Sequence, residues 1–307
     1  MSDTPSRSRI ALALFVAILA VSTASIFIRL AQREAPSLVI AATRLTLATL
    51  TLLPIALLRH RQELRHLVQS HHFLLAFLSG AFLALHFATW ITSLEYTTVA
   101  SSVVFVSTGP LWVALLSPIF LREPLRRVVA VGLLLATTGG IIIASGDACE
   151  WQNGLRCPSL AVALQGRALW GNFLALVGAW AVSGYLMIGR RLRAQVSLVP
   201  YISVVYGIAA ILLILIALGR GQSFLGYQPQ TYFWMLMLGL VPQLIGHSTY
   251  NWALRYLSAT LVAITTLGEP LGSAILAYLI LNEIPTLFTI VGGALILTGI
   301  YLAARTD

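Results

Sequence analysis

Apolar residues in this chain gather into ten long runs, each closed by arginine, proline or a polar cluster, near 10–32, 36–58, 72–94, 98–121, 126–145, 169–189, 197–218, 230–254, 258–281 and 285–304. Crossing about 30 Å of hydrocarbon takes roughly 20 residues of helix. In lipid a helix satisfies its own backbone hydrogen bonds, so runs of this length are expected to be helical spans. The pattern therefore predicts an all-α integral membrane protein of ten transmembrane helices. Composition agrees: 58% of the residues are apolar and 9% are charged, more apolar surface than a soluble core of this length could hide. Arg7 and Arg9 followed by an apolar stretch and Ser22-Thr23-Ala24 imitate a cleaved signal. A counterpart of the same stretch in mid-chain argues that it is retained.

That counterpart belongs to a repeat. Residues 86–145 lie on 246–305 without a gap at an offset of 160, with 15 identities in 60 positions, where chance would give roughly five. Tyr96 pairs with Tyr256, Pro110 with Pro270, Glu123 with Glu283, Gly132 with Gly292, and Thr138-Gly139 with Thr298-Gly299. Ala20-Val21-Ser22 matches Ala181-Val182-Ser183, and Ser37-Leu38-Val39 matches Ser197-Leu198-Val199. The expected organisation is a first repeat over 1–145, an extracytoplasmic linker over 146–168 and a second repeat over 169–307. Five spans per repeat is an odd number, so the second half must thread the membrane upside down, giving two inverted five-helix repeats.

Charge fixes the expected orientation. The formal charge of +9 comes with arginine as the sole basic side chain besides histidine, and the arginines sit between apolar runs, with no basic patch interleaved with aromatics. They therefore act as topology signals, and no nucleic-acid partner is expected. With the N-terminus in the cytoplasm, thirteen of nineteen arginines fall on that side; Arg29, Arg33, Arg156, Arg167 and Arg220 fall outside and Arg44 falls within a span. The positive-inside rule then places both termini in the cytoplasm of a cell inner (plasma) membrane. Cys149 and Cys157 fall in the outward-facing linker, where a disulfide and two free thiols are both open.

The residues at the repeat ends resemble a known group. Thr266-Leu267-Gly268-Glu269-Pro270-Leu271, then Leu281-Asn282-Glu283, then Gly292 to Gly299 are echoed by Thr108-Gly109-Pro110-Leu111, Leu121-Arg122-Glu123-Pro124, and Gly132 with Thr138-Gly139-Gly140. Together with Leu94 to Ala100 and Gly171 to Arg193, these are similar to the EamA group of the drug/metabolite transporter superfamily. The resemblance implies a ten-helix carrier whose cavity is lined mainly by spans 1 to 4 and 6 to 9, with spans 5 and 10 peripheral. Known relatives move amino acids, nucleosides, sugars or drugs, often outward. The first span departs from the group in having Val21-Ser22-Thr23 where a tryptophan is common.

Candidate site residues follow from polarity inside the apolar runs. Glu269 sits in the middle of the ninth span, where an acid costs about 2.5–3.5 kcal/mol unless it faces a partner or a wet cavity. It reads as a substrate or proton site, or as a cap on backbone freed by Pro270. Arg44 reads as its ion-pair partner or as an anchor for a substrate anion. His86 and Trp90 share a face of the third span with Thr89 and Ser93, and Gln243, His247, Tyr250, Asn251 and Leu254 share one of the eighth. Trp90, Trp180 and Tyr206 are candidate aromatic walls. Pro110 and Pro270, as repeat mates, are candidate hinges.

The predicted function is secondary active or facilitative transport of small metabolites by alternating access, with amino acids or related compounds as cargo, net export, and protons as the candidate coupling ion. The alternatives are a multidrug or cation efflux carrier and a membrane-embedded enzyme on lipid-linked substrates. The enzyme would need interfacial acids, and Glu95, Glu123 and Glu283 each read as helix-end residues. No cofactor is expected, since no Gly-Lys-Ser/Thr phosphate loop and no dinucleotide fingerprint occurs. His60, His66, His71 and His72 lack ordered ligand spacing and suit lipid headgroups better than a metal. Outer faces of spans 5 and 10 suit lipid or a second copy, leaving a homodimer open. Inversion is directly testable: single cysteines at positions 123 and 283, in a background without the native cysteines, should react with an impermeant reagent from opposite sides of the bilayer. Labelling from the same side would refute the inverted repeat.

Overall fold

The computed structural model describes residues 5–97, 102, 105–148, 150–151, 155–156, 167–281 and 287–304. Cys149, Cys157 and Glu283 lie outside the described residues, and with them the disulfide question and half of the Glu123–Glu283 comparison.

Span 1 comprises α1 (Arg7–Ser22) and α2 (Ala24–Ala31). Ser6 caps its start by accepting from Arg9 N at 3.3 Å. The break at Thr23 follows two hydroxyls that donate back to the preceding turn, Ser22 to Ile18 O and Thr23 to Ala20 O, each at 2.7 Å, a competition that bends helices. Span 2 is α3 (Ser37–Arg59), α4 (Arg61–Gln69) follows it, and span 3 is α5 (His72–Ser93). Span 4 is described as α6 (Gly109–Phe120) and span 5 as α7 (Arg127–Ala148). In the linker, β1 (Glu150–Trp151) pairs antiparallel with β2 (Leu155–Arg156). Span 6 is α8 (Arg167–Arg193) and span 7 is α9 (Leu198–Gly219). Span 8 joins α10 (Pro229–Leu238), a π-helical stretch Gly239–His247 and α11 (Ser248–Ala253). Span 9 is α12 (Ala259–Thr266) and α13 (Gly268–Leu281), and span 10 is α14 (Leu287–Ala304).

The chain is thus an all-α membrane protein of ten spans. Large apolar side chains such as Leu12, Leu58, Leu115, Leu134, Ile211 and Leu279 stay exposed around it, as a lipid-facing surface requires and a water-facing one would not tolerate in such number. Helix α4 was not expected from the hydrophobic pattern, which treated its histidines and arginines as a loop. Leu64 and Leu67, three residues apart, bury one face while Arg61, Arg65 and His66 are exposed, the pattern of a helix lying along an interface. Its Glu63 accepts from Ser197 N at 2.6 Å, capping α9. At the opposite face Glu34 accepts from Gln228 N at 2.9 Å and Thr231 Oγ1 at 2.7 Å, and these bonds hold its carboxyl below the usual range.

Inversion is visible where spans 5 and 10 pack. A Cβ on Gly132 would meet Gly299 O at 2.6 Å, and one on Gly139 would run into Gly292 O. Rising numbers on span 5 therefore meet falling numbers on span 10, so these repeat mates run antiparallel, and the contact maps onto itself when the halves are exchanged. Spans 2 and 7 cross in the same self-paired way, while the span 3–6 contact has the span 8–1 contact as its mate. Close backbone approach through glycine substitutes for hydrophobic drive, which lipid does not supply between helices. Gly132→Val should push the two backbones apart and cost about 1–3 kcal/mol, read as lowered thermal stability in detergent. Gly219→Ala, with open space around its Cβ position, should leave stability nearly unchanged.

Candidate functional site

Crossing of the two halves leaves a cavity in the middle of the bundle. Span 1 contributes Val21 and Ala24, span 2 Arg44, span 3 His86 and Trp90, and span 4 Gly109 and Pro110. The second half contributes Val182 and Leu186 of span 6, His247 and Tyr250 of span 8, and Ala263, Thr266 and Glu269 of span 9. Among the described residues spans 5 and 10 contribute nothing to the lining, as the resemblance implied. Span 7 is absent too among the described residues, contrary to it. The cavity leaves about 60 Å³ for the centres of water-sized molecules, room for several waters or one small solute.

Arg44 dominates its electrostatics. The side chain is wholly buried; Nε donates to Gln243 Oε1 at 2.8 Å, and the guanidinium carbon sits 4.2 Å from the Phe87 ring centre, at cation–π range. Nη1 and Nη2 have no hydrogen-bond partner among the described residues. An arginine offers five donors in a rigid fork, and this one is gripped at Nε with its far edge unengaged. Gln243 lies in the π-helical stretch beside Pro242. The wider turn there, of a kind often found at functional sites, turns Gln243 towards span 2 and His247 and Tyr250 towards the cavity.

Glu269 stands in the first turn of α13, just past the break of span 9 at Leu267. Ion pairs among the described residues are His60–Glu63 and Arg190–Glu123, so Arg44 and Glu269 line one cavity without closing into a salt bridge. Neither internal alternative for these charges is formed: no hydrogen bond runs from the Glu269 carboxylate to the backbone near Pro270 among the described residues. Span 9 restarts at Gly268, two residues before Pro270, and span 4 restarts at Gly109, one residue before Pro110. Both prolines therefore sit in the first turn of a resumed helix, where a missing N–H costs little.

His86 Nδ1 donates to Gly178 O at 2.9 Å, which leaves Nε2 as the acceptor, and its ring stacks on Trp90 at 5.7 Å. Trp90 Nε1 and Tyr250 Oη are buried without partners among the described residues, so further polar groups lie unspent beside Arg44. The family model of the EamA-like transporter family matches residues 8–145 and again residues 169–305. The chain belongs to the EamA-like transporter family. Proteins named as uncharacterized transporters resemble it: one from Archaeoglobus fulgidus is 25% identical over 73% of both chains, and YdfC of Bacillus subtilis is 22% identical over 74% of this chain and 69% of its own. A protein of known crystal structure shares the fold with a TM-score of 0.78 over 98% of this chain and 97% of the other, at 20% identity.

In this EamA-like transporter three of the expected site residues stand away from the cavity. Trp180 is 43% exposed and meets Trp112 edge-on, because its face of span 6 points out of the bundle. Tyr206 and Asn251 are buried together on the far side of span 8. Asn251 Nδ2 donates to Tyr185 Oη, to Tyr206 Oη at 3.4 Å and to His247 O at 2.7 Å, and Tyr206 Oη meets Ser248 Oγ at 3.3 Å. Gln243 and Tyr250, visible in the sequence only as members of a polar stripe, prove to be the anchor of Arg44 and a cavity wall. Of the interfacial acids, Glu95 accepts from Ser37 N at 3.2 Å and Glu123 from Ala259 N at 3.1 Å, so both cap helix starts. Gln243→Leu should leave Arg44 Nε unpaired and lower stability by about 1–3 kcal/mol, measured by thermal unfolding in micelles. Trp180→Leu, on the exposed face, should change it by less than about 0.5 kcal/mol.

Proposed function

We propose that this protein is a secondary carrier, not an enzyme, which moves small solutes bearing both a carboxylate and an ammonium group, amino acids or related compounds, outward across the inner (plasma) membrane by alternating access. Both termini and the arginine-rich face lie in the cytoplasm, and the 146–168 linker faces out. The observation that carries this reading is the pair of opposite charges facing one small cavity, Arg44 with Nη1 and Nη2 unpartnered and Glu269 in no ion pair among the described residues. Two such charges in a low-dielectric interior are costly unless something of matching charge completes them. Arg44 would take the carboxylate in bidentate fashion, and Glu269 the ammonium, or a proton when the cavity is empty, which is how protons would couple. His86, Trp90, His247 and Tyr250 supply the walls. The cavity's size favours a compact zwitterion over a bulky cationic drug.

The site lies between inverted halves whose spans 4 and 9 are broken beside Pro110 and Pro270, the arrangement from which rocking about a central site is built. Purified protein in liposomes should show saturable flux of small amino acids. Glu269→Gln and Arg44→Gln should each weaken it about 10–100-fold, the worth of a hydrogen bond to a charged group. Undiminished flux in both variants, or saturable flux of cationic dyes with none of amino acids, would overturn the assignment.

A further inference from the structure

Directly beneath the cavity, on the arginine-rich face, four chain segments meet at one ion pair. Arg190 Nε donates to Glu123 Oε1 at 2.6 Å and Arg190 Nη1 to Leu254 O at 2.8 Å, while Glu123 Oε2 accepts from Ala259 N at 3.1 Å. Each partner sits one helical turn past a cavity wall: Arg190 four residues beyond Leu186, Leu254 four beyond Tyr250, and Ala259 four before Ala263. The pair thus ties the ends of spans 6 and 8, the start of span 9 and the span 4–5 turn together across one mouth of the cavity. Glu123 is aimed there by Arg122, whose φ of 58° is a left-handed conformation unusual for a residue other than glycine.

The repeat supplies a comparison within the same molecule. At an offset of 160 or 161, Arg193 corresponds to Gln32, Asn251 to Ile91, Arg190 to Arg29 and Leu254 to Leu94. The deeper bond is made at both faces with equal length, Arg193 Nε to Asn251 O and Gln32 Nε2 to Ile91 O, each 3.0 Å. Among the described residues the outer Arg190–Leu254 bond has no equivalent at the other face, where Arg29 is exposed and makes no hydrogen bond or ion pair; Glu283, the repeat mate of Glu123, lies outside the described residues. Equivalent contacts that are closed on one side and open on the other are what alternating access requires of an inverted repeat.

We propose that Glu123 and Arg190 form a latch that closes the arginine-rich mouth of the cavity and parts once per transport cycle. The proposal rests on the carrier reading above. The side chains are 21% and 27% exposed, so water can compete for them and the pair can open, whereas Arg193, 2% exposed, holds spans 6 and 8 together throughout. Glu123 and Arg190 do not touch the cargo; they set the balance between the two facing states.

The test uses full-length protein without native cysteines and with Val182→Cys as a reporter in the cavity wall, probed by an impermeant maleimide in vesicles of each orientation. Glu123→Gln should raise labelling from the arginine-rich face about three- to tenfold, the range set by losing a partly exposed, hydrogen-bonded ion pair, and should not raise it from the other face. The exchange Glu123→Arg with Arg190→Glu should return labelling towards the starting rate. Arg190→Lys, which keeps the charge and gives up the fork, provides the measurement where Glu123→Gln does not fold. Labelling unchanged in these variants, or raised equally from both faces, would overturn the latch. Amino-acid flux by the unmodified protein, measured alongside, tests the carrier reading separately: absent flux defeats that reading whatever the labelling shows, while normal flux with unchanged labelling defeats the latch alone.

Discussion

The middle of this bundle is organised around a guanidinium that water does not reach from outside. Burying an unpaired arginine costs several kcal/mol, and the fold meets part of that cost from both halves, with Phe87 of span 3 beneath the charge and Gln243 of span 8 on its Nε. Arg44 therefore belongs to neither half alone. Any relative movement of spans 2 and 8 must carry or break its bond to Gln243, which links the state of the central charge to the geometry of the whole bundle. The far edge of the fork and the Glu269 carboxylate complement that arrangement: charges held in place by the scaffold that form no ion pair with each other among the described residues.

Around this centre the scaffold divides into parts that are fixed and parts that can yield. Spans 5 and 10 meet backbone to backbone through Gly132, Gly139, Gly292 and Gly299, a contact with little room for an added side chain. Among the described residues they make no wall of the cavity. Spans 1, 4, 8 and 9, which do, are each interrupted: at Thr23, before Pro110, around Pro242 and at Leu267. Breaks leave backbone groups free, and these are tolerated in a membrane where they face protein or a wet cavity. A closely packed outer pair and interrupted inner spans are the division of labour on which the proposed alternating access relies.

Hydrogen bonds at the helix ends show the same division. Glu34, Glu63 and Glu95, three of the ten acids in the chain, each cap the start of a span on a neighbouring segment. Glu123 does this as well, but its second oxygen engages Arg190 from another span. It is the point at which a helix cap also becomes a contact between spans of the two halves.

Much of the architecture was legible in the linear chain. Ten apolar runs, an odd number of spans per repeat and the arginine bias are enough for an inverted ten-helix bundle, because the length of a span and the satisfaction of its backbone are dictated by lipid, not by neighbouring side chains. Deep charges such as Arg44 and Glu269 stood out for the same reason. Tertiary structure alone decided which polar stripe residues face the cavity, because a helix has several polar-capable faces and a π-helical turn at Gly239–His247 alters the facing of everything after it. It placed Trp180 outward and Tyr206 and Asn251 in a separate buried network, turned a histidine-rich loop into helix α4, and kept Arg44 and Glu269 apart. Spacing along a chain reports which residues share a helix face; only packing decides what that face looks onto.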